Sequence, residues 1–279
     1  MIKKKYISLL LILLLTLSLC ALGLPLQPQD SSQTENNIYD NKVQLTFGIF
    51  LPSINSTAQV NAETGRIGTI INLETAFSLP ESQNLFRFNG LFRFDNKHSI
   101  EGYYYALNRS GSNVSKDSLI FGDIIIRVNS SFSAFFNATL YGGKYRYSIF
   151  NGESVEAGFS AGLSFLDIRV GAEVKFQNQS ASDEYNDLLF LPVLGFYNRI
   201  NIIENLIFRS NVDMFALDIG KYDGVLFDFG VSMEYLFYKL FSAGFSYNVF
   251  SLNLNFNTSQ TGKILYSHKG FMFFGKLYF

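Results

Sequence analysis

Cysteine, histidine and long apolar runs are scarce in this 279-residue chain. Its one cysteine, Cys20, lies in an N-terminal stretch that reads as a cleavable leader, so the mature chain is expected to have no disulfide and no thiolate chemistry. His98 and His268 are the whole supply of imidazole. Ser267, the nucleophile candidate beside His268, belongs on the opposite face of a strand. A nucleophile needs its base within hydrogen-bond reach and a third group to orient it, so no enzyme is expected, and a lipid-acting hydrolase is the remote alternative. No cluster has metal-ligand spacing. Asp183–Glu184 and Asp218–Asp223 read as solvated loop charge, and neither metal nor cofactor is expected. Charge of one sign is lacking too: 22 Lys and Arg stand against 23 Asp and Glu, which favours no nucleic-acid partner. Beyond the leader no run reaches 18 apolar residues, which excludes a spanning helix.

The leader itself is legible. Lys3, Lys4 and Lys5 precede a Leu-rich core over Tyr6 to Leu19, and Ala21-Leu22-Gly23 offers small residues for cleavage near Gly23. A lipoprotein signal ending at Cys20 would want a small residue where Leu19 stands. Removing the three lysines leaves 19 bases against 23 acids, a mature net charge of −4. Residues 24–41, with Pro25 and Pro28 and no periodicity, read as a flexible periplasmic lead-in. From Lys42 to Phe279 the texture is uniform, and one domain is expected over 42–279.

What is abundant is aromatic: 30 Phe and 16 Tyr. They fall at period two. Val43, Leu45, Phe47, Ile49 and Leu51 alternate with Gln44, Thr46 and Gly48; Val225, Phe227, Phe229, Val231 and Met233 alternate with Asp228, Gly230, Ser232 and Glu234. Bulky apolar residues set against small, polar and charged ones match a lipid-facing outside and a polar inside. Without a spanning helix, a closed β-barrel is the structure that leaves no backbone group unpaired in lipid. A soluble β-sandwich would alternate similarly. The last stretch decides between them: Phe271, Phe273, Leu277 and Phe279 share a face with Gly275, and Lys276 and Tyr278 take the other. This ending resembles the closing strand of bacterial outer-membrane β-barrels. The resemblance implies a strand that is read by the assembly machinery and zips against the first one. The order Gly68-Thr-Ile-Ile-Asn-Leu-Glu74, Phe86-Arg-Phe88, Arg93-Phe-Asp-Asn-Lys-His98 and Tyr103-Tyr-Tyr105 likewise resembles uncharacterised outer-membrane barrel proteins of diderm bacteria.

Short links near 95–98, 151–153, 199–203 and 238–240 alternate with longer polar ones, the pattern of periplasmic turns and outer loops. The expected fold is all-β: an antiparallel up-and-down transmembrane barrel of about ten strands, range eight to twelve. The strands are placed near 42–51, 84–94, 99–109, 131–149, 154–176, 187–200, 204–217, 224–237, 241–256 and 262–279. Twelve would follow if Gly68–Glu74 and Leu119–Val128 joined the wall. Two strands change parity, at Phe165/Leu166 and at Val249/Phe250. The expectation is a β-bulge at each that restores the apolar residues to the outside and turns Asp167, Arg169, Glu173 and Lys175 inward.

Inward positions carry Arg87, Arg93, Lys144, Arg146, Arg209 and Lys276 against Glu101, Glu156, Asp213, Asp228 and Glu234. Six bases facing five acids in a narrow barrel suggest a salt-bridged, largely occluded lumen rather than a one-signed selectivity ring. The functional expectation is therefore a monomeric outer-membrane barrel with a structural or surface-interaction role. Its expected partners are outer-membrane lipid and lipopolysaccharide, the barrel-assembly machinery and periplasmic chaperones. A narrow porin-like channel for ions or small solutes is the alternative.

Overall fold

A computed structural model describes residues 41–176, 179–219, 221–257 and 261–279. The expected leader and nearly all of the lead-in lie outside the described residues. The elements are β1 (Val43–Val60), β2 (Ile71–Asn72), α1 (Leu73–Phe77), β3 (Leu85–Arg93), β4 (His98–Val114), β5 (Leu119–Phe121), β6 (Ile124–Ile126), β7 (Ser131–Asn151), β8 (Val155–Phe176), β9 (Gln179–Ile203), β10 (Leu206–Ile219), β11 (Tyr222–Tyr238), β12 (Phe241–Asn257) and β13 (Thr261–Tyr278).

Ten of these strands form one antiparallel wall in the order β1-β3-β4-β7-β8-β9-β10-β11-β12-β13, and β13 pairs back onto β1 to close it. The closing seam runs in unbroken register from Gln44–Tyr278 to Val60–Gly262. Neither extra segment joins the wall: β2 touches β1 only at Thr57–Ala58, and β5 and β6 form a hairpin of their own.

Most of the strands are longer than a lipid crossing needs because the barrel has two storeys, and β1, β4 and β9 also outrun their expected bounds. A tilted strand needs ~9–11 residues to cross lipid, and β8 and β9 run for 22 and 25. In the lower storey, at the end of the short turns, the outside is apolar: Ile49, Phe159, Phe190, Leu194, Phe271 and Phe273 are all strongly exposed. Higher up the facing is inverted. Leu166, Ile168, Val170, Ala172 and Val174 on β8 are buried inside, and Asp167, Arg169, Glu173 and Lys175 point outward into solvent.

The bulge expectation is therefore corrected. The β7–β8 register passes through Phe165 and Leu166 without a shift, and β12 passes through Val249 and Phe250 likewise. Parity never changes; the surrounding medium does. Below the switch the wall faces lipid and encloses polar groups. Above it the wall faces water and encloses an apolar core, as in a soluble protein. Real register shifts sit at the short-turn rim, at Ser148/Phe150, Leu206/Ile207 and Leu236/Tyr238. The boundary between storeys runs from strand to strand, with Leu51 opposite Phe271 and Tyr141 opposite Phe165, which is opposite Phe190. Tyr141 stacks on Phe165 at 5.3 Å, and Phe165 meets Phe190 edge-on at 5.4 Å, an aromatic girdle at that height.

β1 continues past Pro52, where a loop was expected. The β3 ladder ends at Phe50–Leu85, so Pro52 removes no hydrogen bond on that side. Ser53, Asn55 and Thr57 then face out, and Ile54, Ala58 and Val60 face in. At the opposite rim Asp95 closes the β3–β4 turn, its carboxylate accepting from the N–H groups of Lys97 (2.7 Å) and His98 (2.9 Å). The Lys97 N–H above all holds the Asp95 carboxyl below its ordinary pKa.

Candidate functional site

The candidate site is the lumen, and it too has two parts. The upper part is apolar. Phe136, Ile168, Val170, Phe250, Leu252 and Ile264 belong to one continuous buried cluster that also takes in Ile71, Leu73 and Phe77 of the cap. Asn72 caps α1 by accepting from the Thr75 N–H at 2.9 Å, and Ser78 ends it in the left-handed conformation at φ 54°. Phe121 and Ile126 of the β5–β6 hairpin pack onto the same core.

One polar lock sits within this core. Glu74 of α1 receives Arg109 of β4 at 2.6 Å, the Ser56 backbone N–H at 2.9 Å and the Ser56 hydroxyl at 2.6 Å. Arg109 also donates to Ser56 Oγ (2.7 Å) and to the Pro80 carbonyl (3.1 Å), with its guanidinium 5.1 Å over the Phe136 ring. Arg109 is 2% exposed and Ser56 0%, so water supplies none of this solvation. The Gly68–Glu74 segment thus ends inside the barrel mouth. Sequence reading did not assign Glu74 or Arg109 to a site. Arg109 stood at the inward parity of β4 two positions beyond Leu107, and that parity was the available signal.

The lower part is polar: Arg87, Glu101, Lys144, Arg146, Arg209, Asp213, Asp228 and Lys276 line its interior, with Arg93, Glu156 and Glu234 buried beside them, whereas Asp167, Arg169, Glu173 and Lys175, expected inward, face out. The inward charges sort into clusters. At the rim, Glu156 accepts from Arg93 (3.1 Å), Arg199 (3.3 Å) and Ser148 (2.7 Å), so β3 is bound across the lumen to β8. Arg199 was not among the expected residues, although it stands opposite Glu156 on β9. A second rim cluster centres on Glu234, which is 0% exposed. It accepts from Lys276 at 2.7 Å, Arg209 at 3.2 Å, Ser242 at 3.0 Å and the Tyr278 hydroxyl.

In mid-lumen, Lys144 of β7 reaches Asp213 of β10 at 2.7 Å and lies 3.9 Å from Glu101. Arg146 pairs with Glu101 at 3.2 Å and stacks over Tyr197 at 3.6 Å. Between this network and the apolar ceiling is a cavity of about 190 Å³, large enough for several waters. Arg87 and Asp228 both line it.

The closing-strand residues lie on the outer face. Phe271, Phe273 and Phe279 are exposed, with Gly275 and Leu277 half-buried among them. They pair with the outward residues of β1, Leu277 with Leu45 and Phe273 with Ile49. The two histidines sit at opposite ends. His98 meets the Tyr145 hydroxyl at the lower rim, and His268 is buried in the upper storey, stacked 5.0 Å from Phe250. Ser267 faces outward and donates to the Asn55 carbonyl, so it does not meet His268. Asp183 and Glu184 lie on β9 rather than in a loop. The Asp218 side chain falls outside what is described. Among the described residues no three His, Cys, Asp or Glu side chains group as a metal site would require.

No protein-family model matches the sequence, and no curated protein does. Solved structures do match. The outer membrane protease OmpT from Escherichia coli aligns with a TM-score of 0.57 and 10% identity, over 89% of this chain and 99% of that one. The translocator domain of the autotransporter NalP from Neisseria meningitidis aligns at 0.46 and 10%, over 84% and 87%. Ail, the attachment invasion locus protein of Yersinia pestis, aligns at 0.30 and 10%, over 84% and 99%. At such identity the OmpT likeness speaks for the wall alone and transfers no activity. With its lipid-facing belt, its closed ten-stranded wall and that likeness, the chain has the fold of a bacterial outer-membrane β-barrel.

Proposed function

We propose that this protein is a non-conducting, monomeric outer-membrane barrel that works at the cell surface through the storey raised above the belt. The observation that carries this reading is the apolar core filling the upper lumen, with α1 locked into it by Glu74 and Arg109. An ion crossing such a core would lose its hydration with nothing to replace it. The raised wall, by contrast, turns charge and polar groups outward: Asp167, Arg169, Glu173 and Lys175 on β8, and Asn55 on β1. This is a surface for polar partners, lipopolysaccharide head groups among them, and the belt below contacts lipid. Phe271, Phe273, Gly275, Leu277 and Phe279 serve in this reading as the signal for assembly. The inward charges serve to hold the narrow lumen together.

Planar-bilayer recording of refolded protein tests the proposal. A silent membrane is the expected result, and stable single-channel steps from the unmodified chain would overturn it in favour of a narrow channel.

A further inference from the structure

Most lumenal charges are spent on one another, and two are not. Lys144 is taken by Asp213 and Glu101, Arg146 by Glu101, Arg209 and Lys276 by Glu234, and Arg93 and Arg199 by Glu156. Among the described residues, Arg87 and Asp228 make no ion pair or side-chain hydrogen bond, yet both line the cavity under the apolar ceiling. Arg87 is the base whose charge acts most on Asp228.

Arg87 is held without being used. Its guanidinium lies 4.7 Å over the Tyr105 ring and 5.3 Å over Phe50, so its faces are engaged by rings. Its N–H edge is left over, and a planar fork of donors matches a carboxylate. Asp228 stands directly opposite Asp213 on the neighbouring strand. Asp213 has a cation in direct contact, Lys144; Asp228 has none within ion-pair distance among the described residues. Two carboxylates side by side, one of them unpaired, favour a second cation at Asp228.

We propose that this chamber is a binding site for a small zwitterion of the amino-acid class, its carboxylate held by Arg87 and its ammonium by Asp228. The occupant completes the only two charges of the chamber that the described residues leave unmatched. The size agrees: a cavity of about 190 Å³ admits a small amino acid. The site lies below the apolar storey and stands whether or not the upper surface binds a partner.

The test uses the full mature chain refolded in detergent, with glycine and L-alanine as probes. Acetate and methylammonium serve as the two halves of the ligand. Binding is read by isothermal titration, and by thermal unfolding with the probe added either before or after refolding, so that slow access to the chamber does not hide it. Saturable binding of glycine or alanine is expected, at least tenfold tighter than either half. Asp228→Asn, which is isosteric, and Arg87→Lys, which keeps charge but loses the fork, should each weaken it by tenfold or more. Heat-modifiable gel mobility checks that both variants are folded. No saturable binding with either order of addition would overturn the proposal. So would acetate binding as tightly as glycine, or Asp228→Asn binding like the parent.

Discussion

The inversion of facing halfway up the wall makes a prediction that one strand can test. On β8, Phe159 lies in the belt and is 56% exposed, Ile168 lies in the raised storey and is 0% exposed, and Arg169 is its outward neighbour. Phe159→Arg puts a charge near the middle of the lipid and should cost ~2–4 kcal/mol. Ile168→Ala removes a fully buried side chain from the upper core and should cost ~2–5 kcal/mol, depending on how far the cavity collapses. Arg169→Ala faces water above the lipid, its nearest acid Asp167 is 3.8 Å away and solvated, and the change should stay within ~0.5 kcal/mol. Urea unfolding from lipid vesicles measures all three. Single-cysteine labelling gives the geometry independently: an impermeant maleimide on intact cells should modify Asp167→Cys and Arg169→Cys, and spare Ile168→Cys. A mid-strand bulge would place 168 against lipid and 167 and 169 in the lumen, all out of the reagent's reach. Protection at 167 and 169, or equal tolerance of Ile168→Ala and Arg169→Ala, would refute the two-storey reading.

Glu234→Gln leaves Lys276 and Arg209 in the rim without their shared carboxylate and should cost up to ~3–5 kcal/mol. Combining it with Arg209→Gln should add little, and fully additive losses in that double-mutant cycle would show that the two do not act through each other. Glu74→Gln takes the counter-charge from Arg109 inside the apolar core, so the cap should become sensitive to protease and the barrel should begin to show brief conductance steps. A cap as resistant as the parent's would mean that its apolar contacts hold α1 without the lock. Deleting Phe279 should lower the folded barrel recovered from the outer membrane and raise periplasmic degradation. Unchanged levels would remove the assembly role from the closing strand.

The sequence alone determined the wall. Alternation of period two, together with the absence of a spanning helix, required strands closed on themselves, because lipid solvates no free backbone edge. The order of short and long links then pointed to about ten strands, within eight to twelve, and to their direction, and parity told which lower residues face lipid; that the number is ten came from the structure. Parity could not say where the lipid ends. Leu166, Ile168 and Val170 read equally well as an outside restored by a bulge or as the inside of a storey standing in water. Only the unbroken β7–β8 register chooses between them. Nor could parity name partners. Arg209 and Glu234 lie on adjacent strands and could be matched from the chain. Arg93 and Glu156, or Lys144 and Asp213, meet across the lumen from strands that are not neighbours. Glu74 reaches Arg109 because the segment after β1 folds back into the mouth. Those contacts depend on the curvature and closure of the whole barrel. A strand's own alternation carries the side on which a residue stands, and the radius that brings opposite walls within bonding distance belongs to the assembled sheet.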